Sequence, residues 1–204
     1  MQAKNLAASI ALSTILLSGC WGGPTGPEVH RIAVDEQVDI GDQWNDTDSQ
    51  LVSKEMIGDL LSRTWLDEFR DDAGRKPRLV VGRVANKSHD HIPTETFVKD
   101  LERELVNSGE VDFVASHGQR TQLDSEKLHQ ASAASLESQK AIGRELGADF
   151  LLVGQVNSIE NHSGGTTLKY YQVELEAINV ETGIKVWMGQ KKIKKVIERS
   201  EWDM

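Results

Sequence analysis

The chain has 204 residues, 38% of them hydrophobic, with a formal charge of −9 and a single cysteine. That length suits about one domain with its own core. An acid excess is a poor match for the phosphate backbone of nucleic acid, and one cysteine excludes an internal disulfide and a cysteine-rich zinc site.

Lys4 is the only charged residue among the first nineteen, and Leu6 to Leu17 form an apolar run. A spanning helix needs roughly 20 apolar residues, so this run is too short to cross a bilayer. A basic start, a short apolar centre and small residues before a cut site describe a secretory signal peptide. Leu17-Ser18-Gly19-Cys20 resembles the bacterial lipobox, which implies that Cys20 carries acyl chains and becomes the first mature residue. Trp21, not aspartate, follows it, and by resemblance to enterobacterial lipoproteins this implies outer-membrane sorting. The expected organisation is a signal peptide at 1–19, a lipid-anchored periplasmic tether at 20–46, a globular domain at 47–198 and a tail at 199–204.

The tether is rich in Gly, Pro and acidic residues. A helix is then expected to start at Thr47, with Gln50 completing a capping box and Asp46 and Asp48 beside the positive helix end. Val52, Met56, Leu60, Leu61, Trp65, Leu66 and Phe69 recur at helical spacing and carry the helix to about residue 70. "RLVVGRVAN", 78–86, reads as a buried strand. Pro93 opens a second helix with Phe97, Val98, Leu101, Leu105 and Val106, stopped by Gly109. "VDFVAS", 111–116, alternates as a short strand. A helical stretch, broken near Ser135, runs to Leu146 and Gly147. "DFLLVGQVNS", 149–158, is apolar on both faces and belongs in the middle of the sheet. A long hairpin follows. Tyr171, Val173, Leu175 and Ala177 share one face, Gln172, Glu174 and Glu176 the other, "ETG" turns, and "IKVWMGQKKIKKV" returns. These elements predict a single compact α+β domain, helices packed on a mixed β-sheet ending in the hairpin, in the order α-β-α-β-α-β-β-β.

The chain has no Ser-x-x-Lys, G-x-S-x-G, P-loop or G-x-G-x-x-G motif. With Cys20 taken by lipid, no catalytic residue and no cofactor are expected. His89 and His91 point the same way in an extended segment, but a catalytic zinc needs a third protein ligand, so no metal is expected either. Lys191, Lys192, Lys194 and Lys195 form a basic strip on an acidic chain. Such a strip either guards an edge strand against edge-to-edge pairing or docks an acidic partner. Trp187 lies on the same strand. If Ile184, Val186 and Met188 face the core, Trp187 is exposed and joins the strip as a partner-binding candidate.

"GDQWNDTDSQLV" at 41–52, "GRELGADFLLVGQV" at 143–156 and "NVETGIKVWMGQ" at 179–190, in this order behind a lipobox, resemble the LpoB-type penicillin-binding protein activators. The resemblance covers about residues 41–196. It implies a non-enzymatic outer-membrane lipoprotein, facing the periplasm, that docks on a class A penicillin-binding protein and stimulates its peptidoglycan synthesis, acting as a monomer and binding no nucleic acid. Related folds also include the curli-secretion lipoproteins, which leaves an oligomerising assembly or secretion component as the alternative. The motifs themselves read as structural: Asn45 to Gln50 cap a helix, Gly147-Ala148-Asp149 make a tight helix-to-strand turn, and Gly183 relieves the hairpin.

Overall fold

The first helix is capped by Asn45, two residues before the position marked by the Thr47–Gln50 pattern. In the computed structural model, which describes Ala33, Gly41 and residues 43–114, 135–163 and 166–198, α1 spans Asp46–Leu61. The Asp48 amide donates to Asn45 Oδ1 at 3.0 Å, and the Asn45 amide donates to Asp48 Oδ2 at 3.0 Å. This is a reciprocal capping box on an Asn/Asp pair, and Thr47 sits inside the helix as a buried residue. Asn45→Ala is therefore expected to lower stability by about 1 kcal/mol, read as a shifted urea midpoint at constant slope. An unmoved midpoint would show that this box is frayed in solution. Cys20, most of the 20–46 tether and the 199–204 tail lie outside the described residues.

The single helix expected to about residue 70 is two helices. α1 stops at Ser62, and α2 spans Trp65–Ala73. The Trp65 indole N–H donates to the Leu60 carbonyl at 2.8 Å across the break. Val52, Met56, Leu60, Trp65 and Leu66 are all buried, so the break keeps the apolar stripe on one side of the chain. Periodicity alone could not reveal it. Gly74, in the left-handed conformation, ends α2.

β1 (Arg78–Asn86) and α3 (Thr94–Ser108) follow as expected, with Gly109 capping α3. Asn86 shapes the turn after β1 by accepting from the amide and hydroxyl of Ser88. β2 is only Asp112–Phe113, shorter than the 111–116 alternation suggested; Ala115 and Ser116 lie outside the described residues. α4 (Leu136–Leu146) starts at an N-cap on Ser135. Gly147 ends it at φ 73°, a conformation costly for residues with a Cβ. β3 (Phe150–Ser163), β4 (Thr166–Asn179) and β5 (Lys185–Glu198) complete the elements.

The strands form one mixed sheet in the order β2-β1-β3-β4-β5. β1 pairs in parallel with β2 and β3, while β3–β4 and β4–β5 are antiparallel. The first three residues of the central strand β3, Phe150 to Leu152, are buried on both sides, as the apolar run requires. Phe150, Leu152 and Val156 join the main core, together with Leu79 and Val81 of β1 and Tyr171, Val173, Leu175 and Ala177 of β4. That core packs against Val52, Met56 and Leu60 of α1 and Phe97, Leu101 and Leu105 of α3. On the other side Leu151 joins Val80, Ala148 and Val180, with Leu146 of α4 beside them. A Cβ on Gly143 of α4 would lie 3.2 Å from Val180 Cγ2, so the glycine lets the helix lie close to the turn after β4.

Candidate partner-binding face

The strip drawn from the sequence divides between the two sides of β5. Its phase is set by the register with β4, where Ala177 pairs with Trp187 and Ile178 with Lys185. Val186 is thus an extra residue, a bulge. Ala177 faces the core, so Trp187 does too: it is 6% exposed, and its indole N–H donates to Asp59 Oδ2 of α1 at 2.8 Å. The expectation that Trp187 is exposed is corrected by this register. Ile184 and Met188, assigned to the core side by counting apolar residues, are instead 63% and 66% exposed. Three apolar residues outweighed one in the sequence, but the pairing decides the parity.

Beyond Trp187 the alternation is regular. Lys191 and Lys195 lie on the helix side. Lys191 is paired with Glu55 of α1, and Lys195 Nζ lies 2.7 Å from Asp48 Oδ2 and donates to the Gln43 carbonyl at 2.9 Å. These two lysines tie β5 to the start of α1. Lys192 and Lys194 lie on the opposite side, exposed, with no ion pair among the described residues. Lys192 stands opposite Gln172, which stands opposite Asn157; Lys194 stands opposite Tyr170, which stands opposite Ile159. Exposed Met188, Val196 and Ile159 share this side.

The same side carries a polar ladder, of which Gln155 and Gln190 belong to the second and third motif segments. The Gln155 side-chain amide donates to Glu174 at 2.9 Å and that of Gln190 at 3.3 Å, and Gln172 also donates to it. The bonds from Gln155 and then Gln172 hold the Glu174 carboxyl below the usual carboxylate range. The Tyr170 hydroxyl donates to Gln172 at 3.1 Å, two residues along the strand.

The His89 amide donates to Ser158 Oγ at 3.1 Å, and His91 is exposed. Among the described residues no three His, Cys, Asp or Glu converge on a common point. The residue between them turns inward instead. Asp90 accepts from Tyr171 and lies 3.2 Å from Lys169 Nζ, with Glu160 4.0 Å from the same ammonium. Burial first, and the Asp90 carboxylate next, push the Tyr171 hydroxyl well above its ordinary range, so it stays a donor. The sequence signal for this cluster was Lys169, a charged residue at the inward parity of Tyr171, Val173 and Leu175.

Two of the three motif segments meet each other, and the first packs on residues outside them. Trp44 of the first packs edge-on to Phe97 and Tyr171, with ring centroids 5.7 Å away in each case. The second and third meet at the α4–β3 turn, where the Val180 amide donates to the Asp149 carbonyl at 2.9 Å. Asp149 also receives both guanidinium nitrogens of Arg75, at 2.7 and 2.8 Å, and the Arg78 amide at 2.8 Å. Burial alone would raise its carboxyl; Arg75 and the Arg78 amide outweigh that and hold it below the ordinary value. Gly183, at φ 77°, lies in the β4–β5 turn, as the sequence suggested.

The profile of the family described as peptidoglycan-synthase activator LpoB matches residues 48–193. Among solved structures, the LpoB C-terminal domain from Escherichia coli has a TM-score of 0.51 at 17% identity, covering 72% of this chain and 99% of that one. The same domain from Salmonella enterica gives 0.42 at 18% identity, over 66% and 93%. The NMR structure of E. coli LpoB gives 0.45 at 14%, over 95% and 94%. No curated protein matches the chain by sequence. At 17% identity the structural likeness shows a shared fold; the profile match, which spans most of the chain, shows the family. This chain belongs to the LpoB family of peptidoglycan-synthase activators.

Proposed function

We propose that this protein is a non-enzymatic, monomeric lipoprotein that binds a class A penicillin-binding protein and activates its peptidoglycan synthesis. It is anchored through Cys20 to the periplasmic face of the outer membrane and uses no cofactor or metal. The observation that carries this reading is the family match over 48–193. The side of the β4–β5 hairpin that no helix covers among the described residues supports it as the contact face. Lys192 and Lys194 supply positive charge there, and Met188, Val196 and Ile159 supply apolar area to desolvate. Lys191 and Lys195 act from the helix side by fixing the strand against α1. Trp187 supports the face from within the core rather than by contact.

The test combines the mature lipoprotein in detergent with purified class A synthases of the same organism, measuring glycan polymerisation and crosslinking. Stimulation of at least one synthase is expected; stimulation of none overturns the activator reading. Lys192→Glu with Lys194→Glu should slow association about tenfold at low salt, with the loss shrinking as salt screens the charges. Unchanged association would keep the function and discard the face.

The anchor has its own test. Cys20→Ser removes the acyl acceptor, so the variant should accumulate as the uncleaved, unlipidated precursor. A variant that still shows the mature mass and partitions with outer membrane would refute lipidation at Cys20.

A further inference from the structure

β5 is the last strand of the sheet and, among the described residues, pairs on one side only, with β4. From Trp187 to Glu198 its ladder to β4 runs without a register shift. A long, regular edge presents its outward N–H and C=O groups as a template for another strand. What sits on that edge is decided by its sequence, Lys191-Lys192-Ile193-Lys194-Lys195, which is symmetric about Ile193.

A second copy pairing antiparallel about Ile193 would set Lys191 against Lys195 and Lys192 against Lys194, each twice. Moving the centre of pairing by one residue either way sets Lys192 or Lys194 against itself. Like charges directly opposite destabilise a strand pair, so this edge rejects its own kind. The same lysines reward the opposite sign. The rest of the chain is acidic, at −9 overall, so an acidic segment is repelled elsewhere and attracted here. Lys192 and Lys194 are exposed and lack ion pairs among the described residues, while exposed Met188 and Val196 bracket them on the same side.

We propose that the free edge of β5 is a strand-addition site for an extended acidic segment of a protein partner. Main-chain hydrogen bonds supply the affinity, and exposed Lys192 and Lys194 select acidic side chains on either side of a central apolar one, while Lys191 and Lys195 stay paired with α1. That the segment belongs to the synthase rests on the proposed function; the edge chemistry does not.

The test titrates the mature full-length protein in detergent with the synthetic peptide Thr-Val-Glu-Glu-Ile-Glu-Glu-Val-Thr, which sets glutamates against the lysines. Binding and slowed hydrogen exchange of β5 amides are expected. The same peptide N-methylated at alternate residues keeps its charges but cannot extend the ladder, and should bind at least about tenfold more weakly. Lys192→Glu with Lys194→Glu should weaken the unmethylated peptide by a similar factor. Equal binding of the two peptides would reduce the edge to a charged patch and overturn strand addition, as would binding without β5 protection or no binding. Because the probe is a peptide, such a failure overturns strand addition alone, and the activator reading stands or falls separately on the synthase assay.

Discussion

Trp187→Ala lowers the unfolding free energy by about 3–5 kcal/mol, the range expected when a large aromatic is removed from a packed core. Its side chain is 6% exposed, within the same core as Leu60 and Ala177, and its ring lies over Gly189, where a Cβ would come 2.1 Å from Trp187 Cζ2. The indole N–H to Asp59 is the polar half of the contact. Trp187→Phe keeps most of the apolar area and loses that bond, so about 1 kcal/mol is expected. The two variants separate packing from hydrogen bonding. The pH dependence adds a third reading. The indole N–H first, and Arg63 as well, hold the Asp59 carboxyl below its ordinary value. A lowered folded value stabilises above the unfolded value and is lost as pH falls through the folded one. The gap in urea midpoint between the native protein and Trp187→Phe should therefore narrow as pH falls below about 4. Folded, fully stable Trp187→Ala protein would place the indole at the surface and restore it as a contact residue.

Lys169→Met is expected to cost about 3–5 kcal/mol, because it leaves the carboxylate of Asp90 without its cation in a nearly closed site. The side chains of Lys169 and Asp90 are 5% and 11% exposed. The remaining donor to Asp90 is the Tyr171 hydroxyl, which is neutral and cannot balance the charge. Pairing the change with Asp90→Asn removes the charge left behind, so the double variant should be more stable than the sum of the single losses predicts. Thermal or urea denaturation of the four proteins measures this coupling. Additive losses would mean that Lys169 and Asp90 do not act as a pair. The cluster matters to the candidate face because it pins the loop between β1 and α3 to the far end of the β3–β4 hairpin, whose outer side carries Tyr170 and Ile159.

Much of the fold was legible from local periodicity. Alternation of Tyr171, Val173, Leu175 and Ala177 marked the core side of β4, and all four are fully buried. An apolar run on both faces marked β3 as central, and it lies third of five strands. Gly109, Gly147 and Gly183 marked a helix end, a helix end and a hairpin turn. These signals are local: each depends on a few neighbouring residues and on backbone sterics that act within a turn. The first cap misled because Thr47–Gln50 and Asn45–Asp48 are overlapping patterns, and only the entry path of Trp44 into the core between Phe97 and Tyr171 selects one.

The candidate face was legible in composition and illegible in geometry. The sequence by itself determined that four lysines and a tryptophan share one strand at the end of an acidic chain. It also carried the resemblance to the LpoB family, which the match over residues 48–193 bears out. Only the tertiary structure decided which side of β5 each residue takes. A bulge at Val186 and the pairing of Trp187 with Ala177 set the parity of the whole strand. That parity sends Trp187 to Asp59 and Lys191 and Lys195 to α1, and leaves Lys192 and Lys194 to solvent. Asp90 turning inward to Lys169 was decided the same way. The physical reason is common to both: strand phase and loop direction are set by partners distant in sequence, and a period of two carries no information about which partner will be opposite.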